Sequence, residues 1–331
     1  MSFKICNIGC GDIATSVHGP AYVKYRRLHP DVVLAACCDI DETRAEIYRK
    51  KFGFDKYYTD YRKMLEAERP DAVCLICPDT VTAEISINIF KMGYPLLLEK
   101  PPGRNREETL KMIEAAEKAG LANQAAFNRR YVPLVRELKR LLESDFTAGQ
   151  IHNIRYDFYR VERKDFDFSA TAIHGIDTVR FLAGSDYEYI KFNYQELPHI
   201  GINVANIYMY CTFRSGAAAQ LNFCPVSGTV IERATVNCYN HTFFLNIPIW
   251  AAMDSPGRLV HIESNQVRLD VTGEQVSDGS EMFEENGFYA ENASFFNDIR
   301  TGKKPVNDIR SGLQSVEVAD CIRKRLPEYI G

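Results

Sequence analysis

The sequence has no long block of charges of one sign and no long apolar run. Its 40 Lys and Arg residues and 44 Asp and Glu residues are well mixed and give a formal net charge of -4. This distribution argues against nucleic acid or an anionic membrane as a partner. No apolar run approaches the ~20 residues of a membrane span, and the first residues resemble a strand rather than a signal peptide. We therefore expect a cytoplasmic protein that acts on a small molecule.

The chain also lacks a convincing metal-binding pattern, although it has 10 cysteines. Most of these cysteines lie inside apolar runs. Cys74 and Cys77 form the only C-x-x-C pair, and strand alternation would send their side chains to opposite faces. A structural zinc site needs four convergent ligands. We therefore expect reduced cysteines that act as small buried apolar side chains, and no bound metal.

The first part of the chain alternates strand-like and helix-like segments. At 331 residues with 46% hydrophobic content, the chain is long enough for two domains. The alternation continues to about residue 127 and predicts an α/β domain with a doubly wound parallel sheet and right-handed crossovers. Residues 1–127 are therefore predicted to form the first domain.

A glycine-rich segment follows the first predicted strand, Phe3–Ile8. Residues 9–14 read Gly-Cys-Gly-Asp-Ile-Ala and precede a helix-like stretch. This order matches the G-x-G-x-x-A fingerprint, in which glycines let a dinucleotide pyrophosphate approach the amino terminus of the helix. The candidate cofactor contacts in this segment are Gly9, Gly11, Asp12 and Ile13.

An aspartate ends the second predicted strand. Asp39 follows the apolar run from Val32 to Cys38. Its carboxylate can accept hydrogen bonds from both hydroxyls of an adenine ribose and would repel a 2′-phosphate. NAD is therefore favoured over NADP. The alternative function of Asp39 is to cap the helix that follows it.

A charged pair is expected at the carboxyl edge of the same sheet. Leu96–Leu98 is an apolar run typical of a strand buried on both faces, and Pro101 and Pro102 prevent its continuation. Glu99 and Lys100 should therefore lie where ligands bind to open parallel sheets. The alternative is an ordinary solvent-exposed Glu-Lys pair at a strand end.

The pattern changes after residue 127. Strand-like segments joined by hairpin signals, such as Arg214-Ser215-Gly216, predict a mostly antiparallel sheet with one face covered by helices. The other face is a candidate oligomer interface. Residues 128–331 are thus predicted to form an α+β domain, with C-terminal helices that are candidates to pack back on the first domain.

A histidine and an aspartate share the polar side of one predicted helix in this second part. His174 and Asp177 lie opposite the apolar residues of the segment 169–182. His174 is therefore not placed as a core residue, and Asp177 is close enough in sequence to orient its ring or raise its basicity. The alternative is a lone surface histidine.

These motifs together resemble the glucose-fructose oxidoreductase/inositol dehydrogenase/rhizopine catabolism (Gfo/Idh/MocA) family. The matching segments are Gly9-x-Gly11-x-x-Ala14, Asp39, Cys77-Pro78, Glu99-Lys100-Pro101, Phe127-Asn128-Arg129-Arg130, His174-x-x-Asp177 and residues 295–305. They span nearly the whole chain in the order of the family. The resemblance implies an amino-terminal Rossmann domain and a carboxy-terminal domain with a large open sheet. It also implies homodimers or homotetramers built on that sheet.

The resemblance further implies NAD-linked hydride transfer at a hydroxyl-bearing carbon of a sugar, cyclitol or polyol. Lys100 would hydrogen-bond the reacting hydroxyl, and His174, supported by Asp177, would be the general base. The further cofactor contacts implied are Cys77, Pro78, Glu99 and Lys100, and the further substrate contacts are Asn128, Arg129, Tyr159, Arg160 and His174. Tyr159 and Arg160 are equally compatible with a solvent-exposed strand.

Two positions depart from the family pattern. Ala170 stands where many of these dehydrogenases have an aspartate, and Thr82 stands where a histidine is usual. Ala170 removes a proton partner of His174 that Asp167 or Asp177 would have to replace. Two alternative functions therefore remain open at this point: a redox-neutral glycosidase that uses NAD, and a nucleotide-sensing regulator without catalysis.

Overall fold

The computed structural model describes residues 2–331, which divide into two compact units. The first unit comprises residues 2–128 and Phe288–Val316, and the second comprises Arg129–Gly287 and Glu317–Gly331. The segment 288–316 therefore belongs to the first unit, although it follows the second sheet in the sequence. The assignment of substrate binding and oligomerisation to residues 128–331 stays a prediction.

The secondary structure follows the alternation seen in the sequence. The strands are β1 (Phe3–Ile8), β2 (Val32–Cys38), β3 (Lys56–Tyr58), β4 (Ala72–Leu75), β5 (Leu96–Glu99), β6 (Asn123–Ala126), β7 (Ile151–Tyr159), β8 (Tyr187–Glu196), β9 (Ala205–Phe213), β10 (Ala218–Cys224), β11 (Ile231–Cys238), β12 (His241–Ile247), β13 (Arg258–Glu263), β14 (Gln266–Thr272) and β15 (Glu328–Ile330). The helices are α1 (Gly19–Leu28), α2 (Glu42–Phe52), α3 (Tyr61–Glu68), α4 (Asp79–Lys91), α5 (Arg106–Ala119), α6 (Pro133–Asp145), α7 (Ser169–Ala183), α8 (Gly273–Val276), α9 (Met282–Glu285), α10 (Phe288–Thr301) and α11 (Leu313–Arg323). Among residues 2–331, no helix combines the length and apolar character needed to cross a membrane.

The first unit contains a six-stranded sheet in the order β3-β2-β1-β4-β5-β6, and every neighbouring pair is parallel. The predicted doubly wound sheet is therefore confirmed. The strand order reverses between β1 and β4, and ligands bind at the carboxyl edge of such sheets at this point. The fingerprint residues and Lys100 follow strands that end at that edge.

Apolar residues cover both faces of this parallel sheet. Leu97 belongs to one buried cluster, whereas Leu96 and Leu98 belong to another. Successive side chains of a strand point to opposite faces, so an uninterrupted leucine run is what a doubly covered strand requires. Phe295 and Phe296 of α10 join the cluster that contains Leu97, which explains why this helix belongs to the first unit.

The second unit contains a nine-stranded sheet in the order β14-β13-β12-β11-β7-β10-β9-β8-β15. Its neighbouring strands are antiparallel except for the parallel pair β7 and β10, which confirms the predicted mostly antiparallel sheet. Helices α6 and α7 pack on one face. The other face carries a concavity of about 810 Å³ with the exposed aromatic side chains Tyr189, Tyr210 and Phe244.

Several short elements have no clear sequence signal. Strands β3 and β15 have three residues each, and α8 and α9 have four residues each. Such lengths are too short for a hydrophobic period to be recognised. The π-helical turn Ala14–His18 precedes α1 directly, and we call the two together the fingerprint helix. The sequence pattern did not predict the π-helical turn either.

Candidate functional site

The turn between β1 and the fingerprint helix depends on two glycines with different roles. Gly9 has φ +91°, and a Cβ at this position would lie 2.0 Å from the carbonyl oxygen of Ile76. A Cβ on Gly11 would meet no atom within 4 Å. Gly9 is thus required by the fold, whereas Gly11 leaves open space beside the backbone. Asp12 and Ile13 then begin the helix. This arrangement fits a pyrophosphate at the helix amino terminus.

Asp39 is tied to the same turn. Its two carboxylate oxygens accept hydrogen bonds from the backbone N–H groups of Cys10 at 2.8 Å and Asp41 at 3.0 Å. Asp41, not Asp39, is the N-cap of α2, because its side chain accepts the N–H of Arg44. The helix-cap alternative for Asp39 is therefore wrong. Each Asp39 oxygen keeps acceptor capacity, which fits the two hydroxyls of a ribose.

Cys77 and Pro78 follow β4 beside this turn. The Cys77 thiol contacts the carbonyl oxygen of Ile8, and Pro78 is the N-cap of α4. The cysteines of the described chain are free thiols, and burial raises the pKa of both Cys74 and Cys77 to about 12. The buried Thr82 hydroxyl donates to the carbonyl oxygen of Pro78 at 3.0 Å, so α4 itself satisfies this side chain.

The end of β5 holds a contact that the sequence pattern missed. Glu99 accepts the backbone N–H of Lys100 at 3.1 Å through Oε2. Its Oε1 lies 2.9 Å from Nε2 of His18, a fully buried histidine in the π-turn of the fingerprint helix. The two segments are 81 positions apart in the chain, so no local pattern could have paired them.

Helix α7 of the second unit carries the predicted general base. His174 is partly buried, and its backbone carbonyl accepts the hydroxyl of Thr178. The buried carboxylate of Asp177 receives two hydrogen bonds from the guanidinium of Arg130, at 2.6 and 2.7 Å. Asp167 accepts the N–H of Ser169 at the start of the helix. Asp167 and Asp177 were named as replacements for the aspartate that is usual at position 170. Both side chains thus make structural contacts of their own.

The arginines assigned to substrate binding meet at a buried carboxylate. Glu232 receives two hydrogen bonds from Arg129, another from Arg160 and one from the hydroxyl of Tyr156 at 2.8 Å. Burial raises the pKa of Glu232, but the two guanidinium groups outweigh burial and bring it to about 2. No sequence pattern indicated this glutamate, because Arg129 and Glu232 are 103 positions apart.

Tyr159 lies at the end of β7 and is partly buried, and Asn128 begins the short 3-10 turn Asn128–Tyr131. The guanidinium of Arg160 stacks 3.6 Å from the ring centre of Phe158. Arg129 and Arg160 therefore organise the interior of the second unit. Their contact with a substrate, like that of Asn128, Tyr159 and His174, stays a prediction.

Comparisons with known proteins agree with this geometry. A family model described as "Oxidoreductase family, NAD-binding Rossmann fold" (GFO_IDH_MocA) matches residues 3–127. Myo-inositol 2-dehydrogenase of Thermotoga maritima is 25% identical over 98% of this chain and 96% of its own. The match of residues 3–127 confirms the predicted resemblance to the Gfo/Idh/MocA family and the NAD-binding fold of this part of the chain.

Two further proteins illustrate the similarity. The NAD(+)-dependent scyllo-inositol 2-dehydrogenase of Bacillus subtilis is 26% identical over 58% of this chain and 59% of its own. The structure of levoglucosan dehydrogenase in complex with NADH has a TM-score of 0.84 and 19% identity, and the match covers 100% of this chain and 99% of that one. At this identity the structural match shows the fold.

We expect Glu232→Gln to lower stability at neutral pH by about 3 kcal/mol, because two buried guanidinium groups lose their counter-charge. The folded-state pKa of about 2 lies below the ordinary 4.5. The ionised carboxylate therefore stabilises the wild-type protein above about pH 4.5, and this stabilisation is lost as the pH falls toward 2. Urea unfolding at several pH values measures both effects.

The control is Glu66→Gln, which alters an exposed carboxylate in the first unit. It should retain the wild-type stability within about 0.5 kcal/mol and the wild-type loss of stability in acid. The Glu232→Gln protein should instead show a flatter dependence on pH. Equal slopes for the wild type and Glu232→Gln would contradict the assigned role of this glutamate.

Proposed function

We propose that this protein is an NAD-dependent dehydrogenase or reductase acting on a hydroxyl-bearing carbon of a sugar, cyclitol or related small molecule. The observation that carries the proposal is the placement of the glycine turn and Lys100 after β1 and β5 of one parallel sheet. Carboxyl ends of parallel strands share an edge, so a cofactor held at Gly11 and Asp39 lies on the same side of the sheet as Lys100. The dehydrogenase names of the relatives reported above support the substrate class.

The first unit supplies the groups that would hold the cofactor. Bound NAD supplies a carbon that accepts or gives a hydride. The open space at Gly11 and the helix amino terminus suit the pyrophosphate, and the Asp39 carboxylate suits the unphosphorylated ribose of NAD rather than NADP.

Two side chains would handle the proton of the substrate. Hydride leaves an alcohol carbon readily only when the hydroxyl proton is removed. We assign Lys100 to a hydrogen bond with the hydroxyl oxygen and His174 to removal of the proton, because imidazole titrates near neutral pH. In the reductive direction His174 returns the proton. Asp177 acts indirectly in this scheme, since Arg130 holds its carboxylate.

The test is a panel of myo-inositol, scyllo-inositol, levoglucosan and methyl glucosides with NAD+ or NADP+. We expect NADH formation, followed by its near-ultraviolet absorbance, with at least one of these classes and a preference for NAD+. His174→Asn should abolish it. Protein that binds NADH tightly yet oxidises no compound would overturn the proposal. Release of nitrophenol from a nitrophenyl glycoside without net NADH would establish the glycosidase alternative instead.

We also propose that copies of the chain associate through the open face of the second sheet. Tyr210 and Phe244 leave 50% and 44% of their surface exposed beside the concavity on this face. Exposed aromatic groups around a concave surface are typical of interfaces. Tyr210→Lys should lower the sedimentation coefficient to that of a monomer, whereas Tyr239→Lys, on an exposed turn, should not. A wild-type monomer at micromolar concentration would refute this interface.

A further inference from the structure

A continuous chain of buried polar groups leads from α10 to the backbone of Lys100. Nδ2 of Asn292 lies 3.0 Å from Nδ1 of His18, and Nε2 of His18 lies 2.9 Å from Oε1 of Glu99. The second oxygen of Glu99 accepts the N–H of Lys100. His18 and Asn292 are fully buried, which shields the hydrogen bond between them from competing water, and the Glu99 side chain is 13% exposed.

The contacts of Asn292 define which nitrogen of His18 carries the proton. One N–H of the Asn292 amide donates to the carbonyl oxygen of Phe288 at 2.8 Å, which fixes the orientation of the amide. The second N–H then points to Nδ1 of His18 at 3.0 Å, whereas the Asn292 carbonyl oxygen is farther from this nitrogen, at 3.4 Å, so we assign Nδ1 as the acceptor. A neutral imidazole has one donor and one acceptor, so Nε2–H donates to Glu99. Asn292 thereby selects the tautomer that holds the carboxylate.

His18 is the last residue of the π-turn Ala14–His18, which positions its ring for these contacts. The N–H of Gly19 bonds to the carbonyl oxygen of Ala14, five residues earlier, and Ala14, Val17 and His18 are all buried. Single π-turns within helices are frequent at functional sites. Here the π-turn links the helix of the dinucleotide fingerprint to the end of β5. The fingerprint helix and the backbone of Lys100 are therefore joined by one set of hydrogen bonds.

We propose that His18 is a positioning residue, which acts with Asn292 through Glu99 to fix the backbone of Lys100 relative to the fingerprint helix. This inference rests on the proposed function for the role of the Lys100 ammonium group. The hydrogen bonds fix both carboxylate oxygens of Glu99. The peptide bond between Glu99 and Lys100, and with it the Cα of Lys100, therefore has little conformational freedom. Misplacing a catalytic group by about 1 Å costs up to about 100-fold in rate.

The first experiment measures the positioning directly and needs no substrate. Pro101 and Pro102 have no backbone N–H, so a peptide covering residues 97–103 carries few amides besides that of Lys100, namely those of Leu98, Glu99 and Gly103, and a fragment that ends at Glu99 separates the first two from Lys100. We compare His18→Leu, which removes the donor, with His18→Gln, whose amide nitrogen replaces Nε2. Exchange at Lys100 should be at least about 10-fold faster in H18L than in the wild type and H18Q.

The second experiment observes the tautomer. In the nitrogen-15 spectrum of histidine-labelled protein, the signal that H18L removes should show the Nε2–H form. Asn292→Ala should convert this signal to a mixture of tautomers, because the group that donates to Nδ1 is gone. His152→Ala, which changes an exposed histidine of β7, should leave the signal unchanged. An Nδ1–H form in the wild type would overturn the assignment.

The third experiment separates positioning from binding. We expect H18L to lower kcat about 10- to 100-fold, with KM and the Kd for NADH within about 3-fold of wild type, and H18Q to restore most of kcat. If H18L does not fold, N292A provides the same comparison. Unchanged exchange at Lys100, or faster exchange with unchanged kcat, would refute the positioning role. A wild-type protein without activity would instead refute the proposed function, while exchange and tautomer would still decide whether His18 fixes Lys100.

Discussion

Lys100→Met is expected to lower kcat about 1,000-fold, while the Kd for NADH stays within about 3-fold of wild type. Methionine fills a similar volume but cannot donate a hydrogen bond to the hydroxyl oxygen as its proton leaves. The effect should fall on the chemical step because the glycine turn and Asp39, not Lys100, carry the main contacts assigned to the cofactor. Steady-state kinetics and NADH fluorescence measure the two quantities separately.

Lys118→Met is the matched control for this variant. Lys118 is an exposed lysine in the last turn of α5, in the same unit, and its replacement should leave kcat and NADH binding unchanged. An equal loss of NADH binding and kcat in Lys100→Met would show that Lys100 serves the cofactor. Full activity of Lys100→Met would remove it from the mechanism.

The second large effect is expected at the glycine turn. Gly9→Ala should destabilise the protein by at least about 2 kcal/mol, because φ of +91° is strained for alanine and its methyl group would overlap the carbonyl oxygen of Ile76. Gly11→Ala should preserve stability within about 0.5 kcal/mol, since its Cβ meets no protein atom. Its methyl group should nevertheless weaken NADH binding about 10- to 100-fold by occupying the space assigned to the pyrophosphate.

Thermal unfolding and NADH titration of the two variants test this division of roles. Gly228→Ala is the control, because this exposed loop glycine also has open space at its Cβ and should change neither property. Normal NADH binding by Gly11→Ala would place the pyrophosphate elsewhere. A Gly9→Ala protein as stable as wild type would mean that the turn adopts another backbone conformation in solution.

The sequence predicted the first unit closely because its signals are local. Phe3–Ile8 has the predicted bounds, and the leucine run before Lys100 is a strand covered on both faces. Apolar periodicity, glycines and prolines act over a few neighbouring residues and can be recognised without the fold. The mostly antiparallel second sheet was predicted for the same reason.

The site residues stay a prediction. The Gly9 turn, the open space at Gly11 and the hydrogen bonds of Asp39 suit a dinucleotide. The predicted interaction of Asp177 with His174 rested on helical spacing. Such spacing places two side chains on one face of the helix, but it does not show whether a third residue binds one of them instead. In the structure, the Asp177 carboxylate accepts a hydrogen bond from Arg130, a residue 47 positions away.

The sequence by itself determined the family resemblance, the parallel sheet, the glycine turn and the position of Lys100 at a strand end. Only the tertiary structure revealed that Glu99 is held by His18 and that His18 is oriented by Asn292, 274 positions later. It alone placed Glu232 between two arginines and α10 in the first unit. The physical reason is that turns and strands follow from neighbouring residues, whereas a buried polar group takes its partner from whichever distant segment the fold brings within hydrogen-bonding distance.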